Sequence, residues 1–121
     1  MGRTGVKSVL VVEDDRAIAE TIRMMLEESY AVTIFDSPQE MPEGPGASLV
    51  ITDLLARNGY DSGAAIRAVR DARARTGAPV LVLTAHGAAK ADCELAAVAN
   101  GVLTKPFQMD ELLAEVKRLA V

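Results

Sequence analysis

Apolar residues in this chain fall into five short runs, separated by longer stretches with helical spacing. The first run, 8–12 (SVLVV), stops at Glu13-Asp14-Asp15, and further runs lie at 31–35, 48–52 (SLVIT), 80–83 and 102–104. Each is short, aliphatic or β-branched, and bounded by polar or turn residues, which reads as strand. Between them the apolar positions recur every three or four residues. Ile18, Ile22, Met25 and Leu26 do so within 16–29, and Ile66, Val69 and 72–74 within 63–76. An alanine-rich stretch covers 88–99, and Leu112, Leu113, Val116 and Leu119 line one side of 108–119. That spacing predicts four amphipathic helices. Asp15 and Ser62 are placed to cap the first two, and Gly77 followed by Pro79 suits the end of the second.

Strands alternating with helices make βαβ units, and so a parallel sheet covered on both faces. The strands are near-continuous apolar runs, as expected where both faces are buried. Five such units predict an open doubly wound α/β sheet of flavodoxin-like strand order 2-1-3-4-5. One segment breaks the pattern. Residues 37–47 (SPQEMPEGPGA) hold three prolines and two glycines, and proline inside a helix costs roughly 3 kcal/mol. The helix between strands 2 and 3 is therefore expected to shrink to about a turn or to give way to loop.

At 121 residues the expectation is a single domain over 1–121, with residues 1–6 a disordered leader. A net charge of −4, no basic stripe and 3% aromatics argue against direct nucleic-acid binding. The single Cys93 excludes an internal disulfide and suits a reducing compartment. No apolar run is long enough for a bilayer, and no secretory signal opens the chain. A cytoplasmic location without membrane contact is expected. Cys93, Met24, Met25 and Met41 read as packing residues.

Ligands of open parallel sheets bind beyond the C-terminal strand ends. There the chain places Glu13-Asp14-Asp15 after strand 1, Asp53 after strand 3, Thr84 after strand 4 and Thr104-Lys105-Pro106 after strand 5. Clustered carboxylates repel unless a cation joins them. Magnesium, which prefers hard oxygens and takes one or two carboxylates, suits such a set. Together with Lys105 it would neutralise the oxygens of a transferred phosphoryl group. An aspartate carboxylate can accept that group as an aspartyl phosphate. Asp15 is read as the helix cap.

VLVVEDD, ITD, LVLTA and LTKPF, in this order, resemble the receiver domains of two-component response regulators over nearly the whole chain. The resemblance implies Asp53 as phosphoacceptor, with Thr84 as the switch hydroxyl and Lys105 as the phosphate-binding lysine. It implies Mg²⁺ held by Asp14, Asp53 and the backbone carbonyl of Leu55, with Glu13 acting through water. It implies a cis Lys105–Pro106 bond. Phosphorylation by a sensor histidine kinase or phosphotransfer protein is then expected to change a face read by a downstream protein or a fused output domain, with a weak homodimer among the expected partners. Val102 departs from the Tyr or Phe usual at its position, which leaves the conformational signal without its usual carrier. The loop after Asp53, with a turn at Asn58-Gly59, is longer than the common form. Leu55 and His86 occupy the positions that set phosphate lifetime in the family. Leu55 cannot position a hydrolytic water, so slow autodephosphorylation is expected unless His86 assists.

Three other functions compete. A phosphohydrolase of the haloacid-dehalogenase type would need an acid/base Asp where Leu55 stands. A receiver working without phosphorylation is disfavoured by the intact acidic pair, Thr84 and Lys105. A nucleotide-binding protein would need a glycine-rich loop after strand 1, which is missing. The reading is a phosphoacceptor regulator and not an enzyme with external turnover.

Overall fold

Val9 and Val11 alternate with Leu10 and Val12 along β1 (Lys7–Val12), and both sets are buried. That two-sided burial marks the middle of a parallel sheet. The computed structural model of the chain describes residues 6–53 and 61–120. After β1 come α1 (Arg16–Leu26), β2 (Tyr30–Phe35), a 3-10 turn (Pro38–Glu40) and β3 (Leu49–Asp53). The chain continues through α2 (Ser62–Thr76), β4 (Val80–Thr84), α3 (Gly87–Lys90), α4 (Cys93–Val98), β5 (Gly101–Thr104) and α5 (Met109–Leu119). The five strands are parallel in the order β2-β1-β3-β4-β5, as expected.

The core lies in two layers. On one face Ile22 and Leu26 of α1 and Leu112, Val116 and Leu119 of α5 pack on Val9, Val11, Ile51, Leu81 and Leu83. On the other face Val69 and Ala72 of α2 and Leu95 of α4 pack on Leu10, Val12, Val50, Val80 and Val82. Gly101 lets α5 settle on β5, since a Cβ there would stand 2.9 Å from Glu115 Oε1 and 3.1 Å from Leu81 Cδ1. Among the described residues no helix is long and apolar enough to cross a membrane.

Several local expectations need correction. The helix predicted over 88–99 is two short helices. Asp92 interrupts it because its carboxylate accepts from Glu94 N at 3.0 Å and Leu95 N at 3.3 Å, which starts α4 afresh. Replacing Asp92 with alanine is expected to cost about 1 kcal/mol. Faster amide exchange at Glu94 and Leu95 would report it, and unchanged exchange there would refute it. The cap of α2 is Asp61 and not Ser62: its carboxylate accepts from Ala64 N at 3.1 Å, and Ser62 is already helical. Gly77 ends that helix as expected, at φ 69° in the left-handed region.

Met41 is buried and Met25 packs against the first core layer, but Met24 is 72% exposed. The α1 stripe of Ile18, Ile22, Met25 and Leu26 turns the Met24 position toward solvent. Cys93 is also exposed, as the first residue of a short helix. Between β2 and β3 the predicted shortening holds, with the single 3-10 turn at Pro38–Glu40.

Candidate functional site

The ends of β1, β3 and β5 converge on one ionic cluster. Lys105 Nζ lies 3.1 Å from Asp53 Oδ1 and 3.3 Å from Glu13 Oε1. The side chains are enclosed, with 19% exposure for Lys105, 9% for Asp53 and 1% for Glu13. The backbone ladders set these positions. Glu13 N donates to Phe35 O at 3.0 Å, extending the β1–β2 pairing by one residue. Lys105 N donates to Thr84 O at 2.8 Å, which carries the lysine one step past β5 and beside the end of β4. The Lys105–Pro106 bond is cis, as the resemblance implied.

Burial raises the Glu13 carboxyl above its ordinary range. The main-chain N–H of Asp15, which donates to Glu13 Oε2 at 3.2 Å, draws it back down. The negative charge of Asp53 pushes it up and Lys105 pulls it down, while a hydrogen bond with Asp53 adds to the rise. The two carboxylates share the positive charge of Lys105. A site of hard oxygens with surplus negative charge suits a divalent cation.

Asp14 sits at the same strand end with its side chain exposed. Among the described residues no three acidic, histidine or cysteine side chains gather into a metal-binding group. The structure thus joins Glu13, Asp53 and Lys105 through direct ion pairs, and Asp14 follows Glu13 with its side chain exposed. Leu55 lies outside the described residues, as do Asn58-Gly59 and the rest of 54–60. Asp15 caps α1 as expected, accepting from Ala17 N at 3.0 Å and Ile18 N at 3.3 Å.

Thr84 is fully buried at the end of β4, and its Oγ1 accepts from His86 N at 3.0 Å. The hydroxyl is held against the first residues after the strand. Val102, opposite Val82 in the ladder, packs into the second core layer with its side chain half-buried. Sequence reasoning missed two contacts: the direct Glu13–Lys105 ion pair and the Asp15 N–H to Glu13. Position beside Asp14 was the one available signal, and it pointed to a metal role for Glu13.

Fold and site together define a small α/β module with an acid-and-lysine cluster at the C-terminal edge of its sheet. A family model of the response regulator receiver domain matches residues 9–117, and the chain belongs to that family. Receiver domains are phosphoacceptor modules of two-component systems and not enzymes that turn over an external substrate. The chain is 36% identical over 115 residues to the transcriptional regulatory protein YkoG of Bacillus subtilis, covering 90% of the chain and 49% of YkoG. It is 30% identical over 122 residues to the sensory transduction protein RegX3 of Mycobacterium tuberculosis, covering 91% and 49%. The chain thus spans about half the length of these relatives. Among solved structures it is similar to the response regulator TrrA of Thermotoga maritima in complex with Mg²⁺ and BeF. That match has a TM-score of 0.73 and 27% identity, over 94% of this chain and 99% of that one.

Proposed function

We propose that this chain accepts a phosphoryl group on Asp53 in a Mg²⁺-dependent reaction, with a sensor histidine kinase or phosphotransfer protein as donor. The observation that carries this is the approach of Lys105 Nζ to 3.1 Å from Asp53 Oδ1. It gives the nucleophilic carboxylate a fixed cation on one side, and an ammonium so placed stabilises charge on the incoming oxygens. Asp14 and Asp53, with the main-chain carbonyl of Leu55 and with Glu13 through water, would hold the metal. When bound, Mg²⁺ supplies the second positive charge that phosphoryl transfer needs.

Within this scheme the chain's own groups have distinct tasks. Asp53 supplies the attacking oxygen, and Lys105 orients it and then pairs with the phosphate. Thr84 exchanges its contact with His86 N–H for the phosphate, where its hydroxyl donates. The signal then passes to a downstream protein or to an output domain of a longer chain. A single domain over 1–121, a weak homodimer and a cytoplasmic setting belong to the same reading, and this segment makes no direct contact with nucleic acid.

Incubation with Mg²⁺ and acetyl phosphate, read by intact mass, tests the assignment. The wild type should gain one phosphoryl group and Asp53→Asn none. Equal gain by Asp53→Asn, or no gain by the wild type with either acetyl phosphate or a phosphorylated phosphotransfer protein, would overturn it. The aspartyl phosphate is expected to be long-lived, because Leu55 offers no polar group to a hydrolytic water. Loss of the added mass within seconds, at the same rate in His86→Ala, would contradict this.

A further inference from the structure

β2 is an edge strand: it pairs with β1 and, among the described residues, with no other strand. Its six residues, YAVTIF, run in continuous register with β1 and include no charge, proline or bulge. Exposed edges are ordinarily blunted by one of these, because their free N–H and C=O groups recruit another chain. The opposite edge, β5, is only four residues long. The direction of the free groups on β2 follows from its pairing. Glu13 N donates to Phe35 O, so the Phe35 carbonyl faces β1. Along a strand these groups alternate in direction, which turns those of Val32 and Ile34 outward. The side chains of Val32 and Ile34 pack on the first core layer, and Ala31 and Thr33 lie exposed on the other face. There the single 3-10 turn leaves a groove of about 550 Å³ between Pro38 and Ala64 of α2.

The helix beside this edge carries a charge pattern that fits its own reverse. Arg16, Glu20, Arg23 and Glu27 stand at i, i+4, i+7 and i+11, which makes one stripe along α1. Arg16 Nη2 lies 3.4 Å from Asp36 Oδ1, just past β2, which sets the stripe on the β2 side of the helix. Arg23 Nε lies 3.9 Å from Glu20 Oε1. Both pairs are exposed and hold their partners weakly. Read backwards, the stripe keeps its spacing and exchanges every sign. A copy turned about a two-fold axis therefore sets each arginine against a glutamate.

We propose that a second copy of this chain pairs antiparallel along β2, with the two-fold axis at Thr33. That register keeps the core-facing residues of both copies on one side of the sheet. It sets Val32 opposite Ile34 of the second copy, so the outward N–H and C=O groups of both are satisfied, and it sets Thr33 against its own equivalent. On α1 it brings Arg16 toward Glu27 and Arg23 toward Glu20 of the second copy. From the Arg16–Asp36 pair, the middle of the stripe and Thr33 lie roughly 8 and 10 Å along helix and strand, so one axis serves both. A strand from another protein would match the edge but not the stripe. The proposal gives a face to the homodimer in the reading above, on which alone it rests, and it does not involve the Asp53 cluster.

Sedimentation of the whole chain over a concentration series tests this together with amide exchange. A dimer should form, and exchange at Val32 and Ile34 should slow as it does. Arg16→Glu/Arg23→Glu and Glu20→Arg/Glu27→Arg should each raise the dissociation constant about tenfold or more. Mixing the two variants should restore the dimer. Thr33→Lys, which sets like charges opposite each other on the axis, should weaken it as well. A monomer at every concentration, unchanged exchange at Val32 and Ile34, an unchanged constant in any variant, or no recovery in the mixture would each overturn the proposal. If a charge variant does not fold, Thr33→Lys decides with the exchange data. Phosphoryl uptake by the wild type is read separately, and its failure would overturn the Asp53 assignment while leaving the dimer result standing.

Discussion

Lys105→Met is expected to lower the stability of the metal-free protein by about 2 kcal/mol and to slow phosphoryl uptake about a hundredfold. Both effects have one source. Glu13 and Asp53 are enclosed carboxylates, and Lys105 Nζ is the cation that reaches both, at 3.3 and 3.1 Å. Methionine fills similar space without charge, so two buried acids would then face each other. Removing one partner of a fully buried pair costs about 3–5 kcal/mol. The 19% exposure of Lys105 lets water screen part of that, hence the smaller figure. Mg²⁺ should narrow the stability gap, because it restores positive charge beside the same oxygens. Urea unfolding in EDTA and again in excess Mg²⁺ measures this. Equal midpoints for variant and wild type in EDTA would show that Lys105 does not hold the cluster together. The kinetic effect is read by intact mass with acetyl phosphate, and uptake at the wild-type rate would remove Lys105 from the reaction.

Leu81→Ala should cost about 3–4 kcal/mol, whereas Met24→Ala should stay within about 0.5 kcal/mol. Leu81 is fully buried in β4, between β3 and β5, and lies directly under Gly101 where α5 settles. The sheet backbone on either side cannot close over the lost methyls, so a cavity remains. Met24 is 72% exposed and loses little on truncation. Since such a domain is stable by only about 5–15 kcal/mol, Leu81→Ala should shift the urea midpoint visibly. Similar midpoints for the two variants would mean that the inner layer is not where the structure puts it.

These two methionine and leucine positions show how legibility varied. Leu81 was readable because it stands inside an unbroken apolar run, and such a run has only one comfortable place in a parallel sheet. Met24 was misread because methionine is apolar in any environment, and only its angle around α1 separates it from Met25. The same limit applies at 88–99. Alanine favours helix throughout, so the competition from the Asp92 carboxylate for the amides of Glu94 and Leu95 was hidden within a helical composition. At 37–47 the reverse held: three prolines override any apolar pattern, so the missing helix could be foreseen, but not the groove left beside it.

The amino-acid sequence by itself determined the five strands, their parallel arrangement and the collection of acids, threonine and lysine at one sheet edge. Those follow from local periodicity and from the handedness of βαβ crossovers, which need no knowledge of distant contacts. The tertiary structure alone decided that Glu13 and Asp53 close on Lys105 while Asp14 faces solvent. Such outcomes depend on the packing of residues as many as 92 positions apart, where a shift of one ångström changes which charges meet.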